Sequence, residues 1–175
     1  TAPDGFKTTR TGNLPEPDIS KAADYFVPIG YTGNATDDRA IAVGFQPDFT
    51  LIKNRDQTDQ WRVIDSLRGA TKNLAIKAVA ENTESDGLKA FTSTGFTLGT
   101  GANGYNDNTE KFISYNWLAG GAPTADNSGS AGGAPTSGSV MVNGSANTDN
   151  LAGSKAALRI SANTTSGFSI VRWDS

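Results

Sequence analysis

Residues 44–72 read GFQPDFTLIKNRDQTDQWRVIDSLRGATK. Phe45, Phe49, Leu51 and Ile52 form one apolar run, and Trp61, Val63 and Ile64 form a second. Between them lies the polar stretch Asn54-Arg55-Asp56-Gln57-Thr58-Asp59. Two apolar runs joined by a polar loop predict an antiparallel hairpin. The loop Asp65-Ser66-Leu67-Arg68-Gly69 then turns the chain again.

On either side the same grammar repeats. Tyr25–Tyr31, YFVPIGY, is dense in aromatic and β-branched residues and predicts a strand. Pro28 places it at an edge or a bulge, because proline donates no ladder hydrogen bond. Thr32-Gly33-Asn34 turns the chain, Asp37 and Asp38 mark an acidic loop, and Arg39–Val43 leads into the hairpin as a short strand. Lys72–Ala80 reads as a strand rather than a helical turn in this context. Thr83–Gly87 is a turn, and Phe91–Leu98 is strand-like with a break at Gly95. The polar stretch 99–110 is a long loop, and Lys111–Ala119, KFISYNWLA, is a closing aromatic strand.

The composition agrees with an all-β domain rich in turns. The chain has 175 residues, 20 of them glycine, with 36% hydrophobic and 19% charged residues. Such a length holds one hydrophobic core. The net charge of −3, with scattered lysines and arginines, offers no electrostatic footprint for nucleic acid. No apolar run approaches the ~18 residues of a membrane span. Cysteine and histidine are absent, which excludes disulfides, thiolate metal sites, Ser-His-Asp triads and imidazole ligands. Without a nucleophile–base pair or a metal cage, the expectation is a protein that is not an enzyme and takes no cofactor.

Four stretches are expected. Residues 1–20, with three of the seven prolines, read as an extended arm or linker. Residues 21–119 form a β-sandwich. Residues 120–160 carry Gly-Ala-Pro-Thr twice, at Gly121–Thr124 and Gly133–Thr136, and read as a Gly/Ser/Ala-rich extended connector. Within it, Val140–Val142 with Asn143-Gly144 offers one short strand and a turn. Residues 161–175 contain GFSIVRWD, which echoes the first strand and either begins a next module or completes the sandwich.

Taken together and in order, YFVPIGYTGN (25–34), GFQPDFTLIKNR (44–55), DSLRGATK (65–72), TSTGFTLG (92–99), ISYNWLAGG (113–121) and SANTTSGFSIV (161–171) resemble a module of marine, cyanophage-type virion structural proteins. Gly5–Pro17 is similar to the exit from an upstream SPRY-like domain in such proteins. The resemblance implies a jelly-roll-like β-sandwich of concanavalin or SPRY type, carried on a tail fibre, an appendage or a capsid decoration at the particle surface. It implies partners that are other copies of the chain or other virion proteins. The alternative is a lectin-like module that binds host surface glycans.

Two sets of residues are candidates for a site. Tyr105, Asn106, Asp107, Asn108 and Glu110, with Asp37 and Asp38, line the loops that would meet a ligand. Asn103, Asn106, Asp107, Asn108 and Glu110 also supply oxygens of the kind calcium takes. They lack the spacing of a calcium loop, however, and a solvated turn is the expected reading, with no metal. Trp61, Tyr105, Tyr115 and Trp117 would stack on sugars if exposed, although aromatics of a small sandwich belong mostly to its core. The second set is Lys53, Asn54, Arg55, Asp65, Arg68 and Lys72, grouped on the hairpin. Binding of an acidic sugar or a partner carboxylate is one use for them. The favoured use is structural, with Asp65 and Arg68 tying the loop.

Overall fold

The structure, a computed structural model, describes residues 4–5, 17–76, 80–101 and 104–174. It is all-β. A single 3-10 turn, Ala22–Asp24, precedes thirteen strands, and no α-helix occurs among the described residues. No helix there is long and apolar enough to cross a membrane.

Nine strands build the sandwich. They are β1 (Phe26–Thr32), β2 (Arg39–Ala42), β3 (Phe49–Asn54), β4 (Arg62–Asp65), β5 (Lys72–Ala75), β6 (Asn82–Thr83), β7 (Leu88–Thr92), β8 (Gly95–Leu98) and β9 (Lys111–Trp117). One sheet has the order β1-β9-β3-β4-β5-β6 and the other β2-β8-β7, all antiparallel. The β3–β4 hairpin pairs Phe49 with Asp65 and Ile52 with Arg62. β9 lies between β1 and β3, so the last strand of the sandwich closes the sheet at its middle.

Alternation along the strands decides what faces inward. Ile52, Ile64 and Phe112 of the large sheet meet Ile41, Leu88, Phe96 and Leu98 of the small one, and Tyr105 joins them from a loop. On β9 the inward set is Phe112, Ser114 and Asn116, each fully buried. The polar pair is satisfied within the sandwich. Thr50 Oγ1 donates to Asn116 Oδ1 at 3.1 Å, and Asn116 Nδ2 donates to Ser114 Oγ and to the Val27 carbonyl, both at 3.0 Å. Tyr115 and Trp117, in the opposite phase, point to the outer face.

Two strand readings change in detail. The break in 91–98 falls two residues before Gly95, at the turn Ser93-Thr94, so β7 and β8 form a tight hairpin with Gly95 paired to Ala42 and Thr92. The strand read over Lys72–Ala80 ends at Ala75, and residues 77–79 lie outside the described ones.

The stretch read as an extended connector, 120–160, builds a third sheet together with the terminal stretch 161–175, and the short strand read at Val140–Val142 is part of it. Its strands are β10 (Val140–Val142), β11 (Ser145–Ala146), β12 (Arg159–Asn163) and β13 (Phe168–Arg172), in the order β11-β10-β12-β13. β10 and β11 are joined at Asn143-Gly144, where φ is 49° and 84°, the left-handed pair a tight hairpin turn needs. β10 pairs parallel with β12, and β13 pairs antiparallel with β12. The terminal strand therefore adds to neither sandwich sheet. The chain crosses to the third sheet at Gly120, where a Cβ would stand 2.2 Å from the Met141 carbonyl oxygen and 2.5 Å from that of Ala162. Only a glycine fits between those two strands.

Candidate functional site

The two loops named as ligand-facing are sewn together by Asn106. Its side chain is fully buried. Asn106 Oδ1 accepts Arg39 Nη1 at 2.7 Å and the Asn34 N–H at 3.1 Å, while Nδ2 donates to the Gly99 and Thr36 carbonyls at 2.9 and 3.1 Å. Every polar atom of the side chain is occupied by the protein, so Asn106 holds the 32–39 and 104–110 loops rather than a ligand.

Tyr105 is likewise closed to a sugar. It is 1% exposed and belongs to the core. The Arg62 guanidinium lies 5.3 Å from the ring centroid, and Arg62 Nη1 pairs with Glu84 at 3.1 Å. Burial, with the Glu84 carboxylate beside it, pushes the Tyr105 hydroxyl above its ordinary range. Its backbone carbonyl accepts Tyr31 Oη at 2.7 Å. Burial first, and Asp107 second, raise the Tyr31 hydroxyl as well, against the opposing pull of Arg39.

Asp107 and Glu110 do come together, and with a partner the sequence did not suggest. Carboxylate oxygens of Asp59, Asp107 and Glu110 lie within 4.8 Å of one another, all half-buried. Asn54, fully buried, donates Nδ2 to Asp59 at 2.7 Å and to Glu110, while its Oδ1 accepts the Asp56 and Gln57 N–H groups. Three hard oxygens in that spacing are what a divalent cation prefers, although exposed acidic groups gather without one too. Asn108 is exposed on the same loop, and Asn103 lies outside the described residues.

Asp37 and Asp38 are clamped from the small sheet. Lys89 Nζ reaches each at 2.7 Å. Its hydrogen bond holds the Asp37 carboxyl below the usual carboxylate range.

The hairpin residues read as one cluster divide into two. Antiparallel pairing puts Asn54 and Asp65 at opposite ends of β3 and β4. At one end Lys53 Nζ donates to the Asn54 and Gln57 carbonyls, and Arg55 is exposed. At the other, Arg68 Nε pairs with Asp65 at 2.6 Å, Arg68 Nη2 donates to the Val63 carbonyl, and Lys72 Nζ donates to Thr83 Oγ1. No single basic platform for an acidic sugar exists here, because these groups already close turns or tie neighbouring strands.

The aromatic residues occupy an unexpected place. Trp61, Tyr115, Trp117, Phe26, Phe49 and Phe168 form a continuous band on the outer face of the large sheet, with ring centroids 4.8 to 6.5 Å apart. Phe168 of β13 stacks on Trp117 at 5.8 Å, so the third sheet covers one end of the band. The signal was present in KFISYNW, where Ile113, Tyr115 and Trp117 share a phase opposite to Phe112, Ser114 and Asn116. Near the end of β5 Leu74 is 38% exposed and Ile76 60%, and near the end of β13 Val171 is 41% exposed and Trp173 51%. Leu74, Val171 and Trp173, with Asp65, Leu67, Arg68, Ile170 and Arg172, line a groove of about 310 Å³.

No curated protein and no solved structure matches the chain. A family model matches residues 21–175, which takes in the sandwich and the third sheet; the arm read over residues 1–20 lies largely outside the described residues. The chain therefore belongs to the family described as a domain of unknown function (DUF7483).

Proposed function

We propose that the chain is a structural module of a virus particle, a component of a tail fibre, appendage or decoration, that works by assembling with copies of itself or with other virion proteins. The observation that carries this reading is the apolar surface beside the third sheet. Leu74, Val171 and Trp173 bring large, partly exposed side chains to one groove between the end of β5 and β13, and Ile76, two residues beyond Leu74, is 60% exposed. Contiguous apolar surface of this kind is uncommon on a monomer and marks interaction sites. The ordered series of motifs, which resembles that of phage structural modules, supports the setting.

Electron microscopy tests the setting. An antibody against the chain is applied to particles of the phage that encodes it. Label along a shaft or over a shell is the expected result. Label confined to fibre tips turns the reading towards host attachment, and particles without label overturn it.

A further inference from the structure

A second cleft lies at the opposite end of the sandwich from the 104–110 loop, where the sandwich meets the third sheet. It encloses about 500 Å³, within the range of small-molecule sites. Three of the motif stretches end in it. Gln46 and Asp48 come from GFQPD, Leu118 to Gly121 from NWLAGG, and Asn163 and Thr165 from SANTT. Tyr25 and the Asn143-Gly144 turn complete the wall.

The cleft is built rather than incidental. At its floor Asp48 is 1% exposed, and its carboxylate accepts Ser66 Oγ at 2.9 Å and the N–H groups of Ala119 and Gly121 at 2.8 and 3.1 Å. The two hairpin tips are locked to each other, since Asn143 Nδ2 donates to Thr164 Oγ1 at 2.7 Å and Asn143 Oδ1 accepts the Thr164 N–H at 2.9 Å. Asn163 Oδ1 is fixed in the same way by the Thr165 and Ser166 N–H groups. Against this rigid frame, the Tyr25 hydroxyl, the Gln46 amide, Asn163 Nδ2 and the Thr165 hydroxyl make no hydrogen bond among the described residues. All four residues line the cleft, and these polar groups are donors and acceptors that the protein itself does not engage.

The chemistry of the walls selects a guest. No lysine or arginine lines the cleft, and a buried carboxylate sits at its floor, so anions are disfavoured. The Asp48 oxygens are already engaged by three protein donors, which leaves little for an ammonium group. The rim is made of turns and not of an open strand edge, so an extended peptide finds no ladder to join. Free amides and hydroxyls beside a tyrosine ring suit a neutral, polyhydroxylated ring with one apolar face. From this geometry we infer that the cleft is a binding site for a neutral saccharide. The inference goes beyond assembly and stands independently of it.

The test is an amide NMR titration of the full chain with glucose, galactose, mannose and N-acetylglucosamine, with glucuronate as the charged control. The expected result is that at least one neutral sugar shifts the signals of residues 46–48, 118–121, 143–144 and 163–165, and glucuronate does so more weakly. Gln46→Ala and Thr165→Val, both at the cleft surface, each weaken that binding by about tenfold, the loss of roughly one hydrogen bond. Silence with every sugar overturns the assignment. Shifts confined to the outer aromatic band, or variants that bind like the parent with unchanged spectra, overturn it also.

Discussion

The Asp48 carboxylate accepts the backbone N–H of Ala119 at 2.8 Å, across 71 residues of sequence. The bond joins the start of β3 to the residues that leave β9 for the third sheet, and Gly121 donates to the same oxygen. One buried side chain thus fastens two halves of the molecule.

Replacing Asp48 by alanine leaves the Ala119 and Gly121 N–H groups and Ser66 Oγ without their acceptor. The expected loss is about 3 kcal/mol, since unmade buried hydrogen bonds cost ~1–3 kcal/mol each and some are recovered by water. Hydrogen exchange should show residues 120–174 opening before the sandwich. Uniform opening of both would contradict the fastening role.

Asp48 also makes a pH-dependent contribution. Burial raises its carboxyl above the ordinary value, and the hydrogen bonds only partly oppose this. The folded state therefore holds the proton more tightly than the unfolded chain. That stabilisation is complete below the unfolded value near ~3.9 and is lost as pH rises through the folded value. Urea unfolding of Asp48→Asn, compared with the parent, should show the balance moving in favour of the variant as pH rises through that window. A difference independent of pH would exclude the effect.

Asp86 has the opposite sign. Hydrogen bonds from Thr100 Oγ1, the Thr100 N–H and the Gly101 N–H hold its carboxyl below the usual range. The stability it lends is present above the unfolded value and is lost as pH falls through the folded one. Asp86→Asn should lose less stability on acidification than the parent does. Parallel acid profiles would show that the carboxylate is not responsible.

Tyr105→Ala removes a core side chain of 1% exposure. Cavities of that size cost about 3–5 kcal/mol, and the anchored 104–110 loop should loosen with it. Calorimetry is the check. A variant as stable as the parent would place Tyr105 at the surface, where a sugar could reach it.

Gly120→Ala forces a methyl group against the Met141 and Ala162 carbonyl oxygens, neither of which belongs to a flexible side chain. We expect a loss of about 3 kcal/mol, as for overpacking, with reduced exchange protection in β10 and β12. Undiminished protection there would mean that the crossing has room to spare.

Much of the sandwich was legible because its signals are local. The two apolar runs of 44–72 and the aromatic first strand each carry their own period. Of the third sheet, the short strand at Val140–Val142, its Asn-Gly turn and the terminal strand were legible, but their union was not, because β10 pairs in parallel with the distant β12, a contact that leaves no mark on neighbouring residues. The surroundings of the candidate site residues were hidden for a related reason. Asn106 reads as a turn former, and only the approach of the 32–39 loop turns it into a buried hub. Asp59 and Asn54 belong to a different turn from Asp107 and Glu110, so sequence spacing could not unite them.

Assembly through the exposed apolar side chains at the ends of β5 and β13 is tested by sedimentation equilibrium of the chain and of the double variant Ile76→Lys/Trp173→Lys. Both side chains are more than half exposed, at 60% and 51%, so the substitutions should leave the fold intact. The parent should associate in a concentration-dependent way and the variant should stay monomeric. A parent that stays monomeric at every concentration and with every virion partner added, or a variant that associates as the parent does, would contradict it.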